Sequence, residues 1–389
     1  MSNIVKPKIS KTRAFLTNMT VSLVTIIIMT LVMEGILQIV IRVRDGEWLY
    51  RQLEGSRVPH VKIVKDRRKF TLLPGYNVNK EGLKIDEWGF RAGPAPIGKD
   101  SMIVVTAGDS VPFGVAVKNK NTYPFFLAKL FHKNGYSVDV LNSGVPSYNL
   151  RQSFDRLRIE VIPRFGLNRI PVITMQAAND IFLLSYYREK WTPDITWADR
   201  RFIKKTSWWQ NFAIVYYGDI AIKKIFKSKA KKIRRARKQE YNTPEEGSRK
   251  KYDRFECGEM LQNARRVLEE ELAYYRDHSV NVILMPVDPF YYQLSGLEKN
   301  QTLKKWLALQ DVADAINEMV TQYNDMLIEV SKRFDNVFFF DTRVLMDAND
   351  RGAMYADHIH YSPEGNRIIA QGLYDFILRH HLLPEKASN

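Results

Sequence analysis

The chain is nearly without cysteine and poor in histidine. Of its 389 residues only Cys257 carries a thiol, which excludes an intramolecular disulfide framework and any multi-cysteine metal centre. A single thiol tolerates an oxidising or a reducing compartment, so it does not locate the chain. His60, His132, His278, His380 and His381 show no ligand-like clustering, so no metal is expected, and no other cofactor is called for. Internal repeats are lacking. Acidic residues are absent from one stretch: Lys223 to Lys238 holds ten Lys/Arg and no Asp or Glu. From Arg200 to Lys251 there are 17 basic residues against 4 acidic ones, a local +13 within a net charge of +16. The basicity therefore belongs to one segment, and the rest of the chain is close to neutral.

What is present suffices for a large folded body. Apolar residues make up 45% and aromatic residues 12%, enough for a full core in one large α/β domain with extensions, or in two domains. Residues Ala14 to Met33 run for 20 positions without a charge, the length a helix needs to cross a bilayer core, ~20 residues. Lys6, Lys8, Lys11 and Arg13 precede this run, whereas Glu34, Arg42, Arg44, Asp45 and Glu47 mix signs after it. The positive-inside rule then places residues 1–13 in the cytoplasm and the bulk of the chain outside it. No small-x-small cleavage pattern follows Met33, so an uncleaved anchor over 14–41 is expected rather than a signal peptide. Glu34 would lie at the interface, where a carboxylate is tolerated.

Residues 42–101 lack strong periodicity and read as a connecting region with short strands. Five apolar runs of strand length follow: Met102–Ala107, Ser137–Leu141, Ile170–Met175, Val280–Pro286 and Asn336–Phe340. Helical spacing separates them, over Tyr123–Lys133, Arg151–Pro163, Gly258–His278 and Leu307–Phe334, the last as two helices or one broken one. Ser362-Pro363 supplies a cap and an N1 proline for a final helix to about His380. Strands alternating with helices imply a parallel sheet covered on both faces. The stretch from about 182 to 256 is too long for an ordinary crossover and reads as an insertion. It contains Trp191, Trp197, Trp208 and Trp209, which could line a cleft or pack a lid. Within the basic 223–238 segment Ile225, Phe226 and Ile233 are interleaved, so it reads either as a solvated basic helix or as a contact for anionic lipid headgroups. Nucleic acid is not an expected partner for a domain outside the cytoplasm.

Four polar blocks fall at strand ends or in loops that could reach them: Gly108-Asp109-Ser110-Val111, Asn142-Ser143-Gly144-Val145-Pro146, Ala177-Ala178-Asn179-Asp180 and Asp357-His358-Ile359-His360. A serine hydroxyl becomes a nucleophile when an imidazole takes its proton, and the imidazole needs a carboxylate to hold its tautomer. Ser110, His360 and Asp357 are the candidates, with Asp357 and His360 brought to one side by a helical turn or a tight loop. The Ser110 and Gly144 backbone N–H groups and the Asn179 amide are candidate donors to an oxyanion, each worth ~3–4 kcal/mol of barrier. Asp109 and Asp180 read as loop-fixing acceptors, His358 as structural, and Asn142 as a turn cap or a pocket residue.

These blocks resemble those of the SGNH (GDSL-type) hydrolase superfamily, whose four namesake residues correspond to Ser110, Gly144, Asn179 and His360. Trp88-Gly89-Phe90-Arg91, Tyr123-Pro124 and an anchor ending in Glu34 resemble a membrane-anchored bacterial branch. The likeness extends over Gly89–Val161, Ile170–Ile181 and Val280–Leu382. It implies a flavodoxin-like three-layer α/β/α sandwich over 102–389, with a five-stranded parallel sheet after one transmembrane helix. It also implies ester chemistry on acylated glycans or lipids. Ala177 departs from the usual glycine of the third block, a change that would narrow the pocket or alter its loop.

Overall fold

The computed structural model describes residues 11–45, 58, 60–78, 82–98, 101–166, 171–175, 178–187, 191–198, 212–215, 217, 257–288, 310–357 and 359–383. The chain divides into two compact units, Met1–Ser56 with Ile203–Ser248, and Arg57–Phe202 with Arg249–Asn389.

In the first unit one continuous helix, α1 (Lys11–Asp45), contains the whole apolar run. Phe15–Val43 has a mean hydropathy of 2.3 and is long and apolar enough to cross a membrane. Its apolar side chains from Phe15 to Val43 are exposed, with the exception of Ile41 and the partly covered Leu37. Three of its threonines turn their hydroxyls back on the helix: Thr20, Thr25 and Thr30 donate to the carbonyls of Leu16, Val21 and Ile26 at 3.0, 2.8 and 2.8 Å. Closing polar groups within the helix is what an apolar solvent demands. The helix continues past the expected end at residue 41 to Asp45, because Ile41 is buried against Ala213 with Leu37 and Tyr217 packed beside it. Glu34 is not a bare interfacial carboxylate. It accepts hydrogen bonds from Gln38 Nε2 at 2.7 Å and from the backbone N–H groups of Ala213 and Ile214 at 2.7 and 3.0 Å.

In the second unit, two small antiparallel pairs occupy the connecting region: β1 (Val61–Ile63) with β2 (Phe70–Leu72), and β3 (Asn77–Val78) with β4 (Leu83–Lys84). The five expected strands follow as β5 (Met102–Gly108), β6 (Val138–Asn142), β7 (Val172–Met175), β8 (Val282–Met285) and β9 (Val337–Phe339). They form one sheet in the order β6-β5-β7-β8-β9 with every pair parallel. This is the flavodoxin-like strand order, in which the chain winds outward in both directions from its first sheet strand. Ligands bind such sheets outside the carboxyl ends of the strands, at the point where the direction reverses. Here that point is the end of β5 at Gly108, with Asp109 between it and Ser110.

Short α2 (Ser110–Phe113) leaves β5, and α3 (Tyr123–Lys133) returns the chain to β6. The next helix, α4 (Leu150–Arg156), opens with a capping box of Asn149 and Gln152 and passes through a π turn at Leu157–Val161 to end at Phe165. Then come α5 (Ala178–Tyr187), α6 (Gly258–Asp277) and α7 (Gln310–Ser331), the last unbroken in its described length. After β9 follow α8 (Thr342–Asp347), α9 (Arg351–Met354) and α10 (Pro363–Arg379), with Ser362 as the cap of α10. α3 packs on α10, and α6 packs on α4 and α7, so helices cover both sheet faces and one continuous core lies between the layers. Of the insertion's tryptophans, Trp197 is buried and Trp191 packs against this core. Trp208, Trp209 and the basic 223–238 segment lie outside the described residues.

Candidate active site

The site is built on the turn after β5. Gly108 has φ +144, and a Cβ there would lie 2.3 Å from the Met175 carbonyl of β7, so no side chain fits. Asp109 caps α2 by accepting the Val111 N–H at 2.9 Å. Gly114 closes the short helix in the left-handed conformation. Four residues therefore leave the sheet, turn and stop, with Ser110 at the first helical position.

His360 arrives from the loop before α10. This loop is a tight turn and not a helical one: Tyr355 bridges Tyr361, and the Ala356 N–H donates to the His360 carbonyl at 2.8 Å. Asp357 Oδ1 accepts the N–H groups of Ile359 and His360 at 3.0 and 2.8 Å, while Oδ2 meets His360 Nδ1 at 2.8 Å. His360 Nε2 lies 2.9 Å from Ser110 Oγ. With its Nδ1 proton held by Asp357, the ring presents an Nε2 lone pair to the hydroxyl, the tautomer that proton abstraction requires. Burial acts to raise the Asp357 pKa. The His360 ring, its charge and the two backbone N–H groups outweigh burial and hold the carboxyl well below its ordinary value. Asp357 thus stays ionised beside the imidazole.

The remaining blocks converge on the same turn. Asn179 near the start of α5 is buried and donates one amide hydrogen to Asp109 Oδ2 at 3.0 Å, which leaves its second hydrogen for an oxyanion. Asp180 accepts the Leu150 N–H at 3.0 Å and ties the start of α5 to the start of α4. Both aspartates act as the loop-fixing acceptors expected. Burial raises the Asp109 pKa against its bonds from Val111 and Asn179, and burial with the neighbouring Asp109 charge pushes Asp180 up to about 7.

Gly144 packs directly on the nucleophile turn, since a Cβ there would lie 2.5 Å from the Phe113 nitrogen. Its N–H does not point into open space: it donates to Asn142 Oδ1 at 3.1 Å. Asn142 Nδ2 in turn donates to the Pro112 carbonyl at 2.9 Å. Asn142, which the sequence left between two roles, is a staple between β6 and α2. An oxyanion would have to share or displace its bond to Gly144.

Arg91 has no role in the sequence-level reading, yet it holds this turn from behind. It is 3% exposed. Nη1 donates to the carbonyls of Phe113 and Gly114 at 2.6 Å each, Nη2 to Val117 at 2.5 Å, and Nε to Asn119 Oδ1 at 2.9 Å. The guanidinium also stacks on the Phe113 ring at 4.6 Å. The Trp-Gly-Phe-Arg string was the available signal, as an arginine directly after a buried phenylalanine. His358 and Ala177 lie outside the described residues. Among the described residues, no group of three or more His, Cys, Asp or Glu is placed to hold a metal ion.

The five-stranded parallel sheet and its strand order are those that the resemblance to the SGNH (GDSL-type) hydrolases implies. Solved structures with a similar chain course include a member of the lipolytic protein G-D-S-L family from Veillonella parvula, at 11% identity and TM-score 0.39 over 72% of this chain and 100% of that one. An acetylxylan esterase from Geobacillus stearothermophilus is similar at 14% identity and TM-score 0.39, over 76% and 100%. An alpha/beta hydrolase from the metagenome of Lake Arreo, Spain, is similar at 18% identity and TM-score 0.39, over 74% and 97%. No family model and no curated protein matches the chain.

Proposed function

We propose that the chain is a membrane-anchored serine esterase or O-acyltransferase acting on acyl esters, acetyl foremost, of a cell-envelope or exported polysaccharide. The observation that carries the chemistry is the unbroken line from Asp357 through His360 to Ser110, with contacts of 2.8 and 2.9 Å. Ser110 Oγ attacks the ester carbonyl as its proton passes to His360 Nε2. The tetrahedral oxyanion meets the Asn179 amide and the Ser110 N–H, and the Gly144 N–H joins them when it turns from Asn142. His360 then gives its proton to the departing sugar hydroxyl, leaving acyl-Ser110. Water or a second sugar hydroxyl, deprotonated by the same ring, releases the acyl group.

The envelope setting is supported by α1 and by the basic flank before it. On the positive-inside rule the proposal has residues 1–13 in the cytoplasm and the catalytic unit on the outer side of the cytoplasmic membrane, in the periplasm of a two-membrane cell. The basic 223–238 segment would add a second hold on anionic headgroups, at ~1 kcal/mol for each Lys or Arg near the surface. Ser110→Ala is expected to lower the release of p-nitrophenol from p-nitrophenyl acetate by about 10⁴-fold. Undiminished turnover would end the proposal.

A second reading is favoured by the Gly144 N–H being already bonded to Asn142: a non-catalytic polysaccharide-assembly component that uses this fold to bind. A serine-directed fluorophosphonate separates the two. Labelling that depends on Ser110 supports the esterase, and a folded wild-type protein that resists the probe supports the binder.

A further inference from the structure

A cavity lies away from the nucleophile, between strand β6 and the segment from β3 to Ile97. Its volume is about 530 Å³, and its walls include Trp88, Asp86, Glu87, Asn77, Lys84 and Pro94. Neither Ser110, Asn179 nor His360 borders it. That volume falls within the range of small-molecule sites, roughly 300–1,000 Å³.

Trp88 is the unusual member. It is 45% exposed, yet its backbone is fixed at both ends. Its N–H donates to Asp86 Oδ1 at 2.9 Å, and its carbonyl accepts from Arg164 Nη1 at 2.9 Å. The indole stands between two cavities. In the smaller one, of about 210 Å³, Arg164 lies over the ring at 5.1 Å from its centroid. The larger cavity does not contain Arg164. A large aromatic residue whose backbone is pinned at both ends beside an open cavity has less ordering left to undergo when a ligand arrives.

The chemistry of the walls selects the class of ligand. Three carboxylates, Asp86, Glu87 and Asp139, stand beside Lys84 and Arg91. The Asp139 oxygens are already met by the Gly98 N–H at 2.7 Å and by His132 Nε2 at 3.1 Å, so the walls do not favour an anion and carry no strong net charge. Phosphate would face three carboxylates. Carboxylate oxygens and an amide beside an apolar ring suit a molecule with hydroxyls at its edges and C–H groups on its face. We propose that this cavity is an accessory subsite for neutral pyranose units of a glycan, stacked on Trp88 and hydrogen-bonded by Asp86, Glu87 and Asn77. The choice of a glycan comes from the cavity's own chemistry. That it would retain the enzyme's own polymer near Ser110 rests on the proposed function above, since a tethered chain raises the local concentration of its esters.

The test uses the full chain in detergent micelles, labelled with 5-fluorotryptophan and observed by fluorine NMR. The Trp88 resonance is assigned by its loss in Trp88→Phe. Titration with xylohexaose and with chitohexaose is expected to move that resonance saturably at millimolar sugar or below for at least one of them. Glu87→Ala, an exposed side chain that the fold does not use, should weaken the response by about fivefold, one hydrogen bond's contribution. Ser110→Ala should leave it intact. A Trp88 resonance unmoved by both sugars, moved by inorganic phosphate instead, or indifferent to Glu87→Ala overturns the proposal. So does a response abolished by Ser110→Ala, which would place the sugar in the catalytic centre. Ester turnover in the same Ser110 variant reports on the esterase reading separately, so failure of one does not mimic failure of the other.

Discussion

Replacing Arg91 by methionine tests whether the nucleophile turn is held from behind. The guanidinium is buried and pairs with no carboxylate among the described residues, and burial alone pushes its pKa down to about 9 from an ordinary 12.5. Holding the cation there costs about 5 kcal/mol by that lowering. Against this stand four hydrogen bonds from a charged donor at ~1.5–3 kcal/mol each, together ~6–12 kcal/mol, and a stacking contact on Phe113 worth ~1–2 kcal/mol. The bonds win by a few kcal/mol, so Arg91→Met should destabilise the catalytic unit by ~4 kcal/mol and lower its urea midpoint. The functional effect is larger than that loss suggests. Two of the released carbonyls, Phe113 and Gly114, close the helix that Ser110 opens, and a misplacement of ~1 Å costs about 10²-fold in rate. With p-nitrophenyl acetate the loss should appear in kcat, with KM within about twofold, because Arg91 touches no reacting atom. Arg91→Lys, which keeps the charge but loses the fork, should fall between. A methionine variant with wild-type kcat and an unchanged urea midpoint would refute the reasoning.

Gly144→Ala drives a Cβ to 2.5 Å from the Phe113 nitrogen, and backbone cannot yield as a flexible side chain would. It should reduce both ester turnover and fluorophosphonate labelling by about 10²-fold or more. Asp180 has its folded pKa raised to about 7, above the ~3.9 of an unfolded chain. Its stabilising effect is therefore complete below pH ~4 and lost as pH rises through 7. Thermal midpoints should fall from pH 5 to pH 8, and Asp180→Asn should flatten that fall; an equal slope in both proteins would contradict the assignment. Glu34→Ala removes the acceptor of the Ala213 and Ile214 N–H groups. Hydrogen exchange of those amides should accelerate by about tenfold, with Glu34→Gln close to wild type.

The strands were legible because a parallel sheet covered on both faces needs unbroken apolar runs, as in the Val-Ile-Leu-Met of β8. The serine, the histidine and their aspartate were legible because the chemistry restricts which residue types can do the work and because each sits at a strand end or before a capped helix. The extent of α1 was not. Its last residues look like the start of a loop until Ala213 and Tyr217, far along the chain, cover Ile41. Nor was the pairing of Asn142 with Gly144, since an Asn-Ser-Gly string fits an open turn as readily as a side chain folded back on its own loop. The Trp88-Gly89-Phe90-Arg91 string stood out in the sequence, but the role of Arg91 did not, for a stronger reason. Its partners are backbone carbonyls 22 to 26 residues away, and a carbonyl leaves no mark on sequence.

That difference sorts the residues by what their loss should do. In the proposed mechanism Asp357 stays ionised and orients the ring, with Oδ2 on the imidazole and Oδ1 on two backbone N–H groups, while Ser110 and His360 exchange the proton through a side-chain contact. Asp109, Asn142, Asp180 and Arg91 place the groups that do so, largely by gripping backbone: the Val111 N–H, the Pro112 carbonyl and Gly144 N–H, the Leu150 N–H, and the Phe113 and Gly114 carbonyls. Asp109 links the two sets, because the oxygen opposite its α2 cap receives the Asn179 amide. A shift of the nucleophile turn therefore moves the oxyanion donor with it. Removing a proton-moving residue abolishes chemistry at any pH and with any ester. Removing a placing residue leaves the chemistry intact but misaligned, so its penalty should grow with the demand for alignment. Hydrolysis of an activated aryl ester, whose leaving group needs little help from His360, should suffer less in Asn142→Ala than hydrolysis of an alkyl ester, whereas Ser110→Ala should abolish both alike.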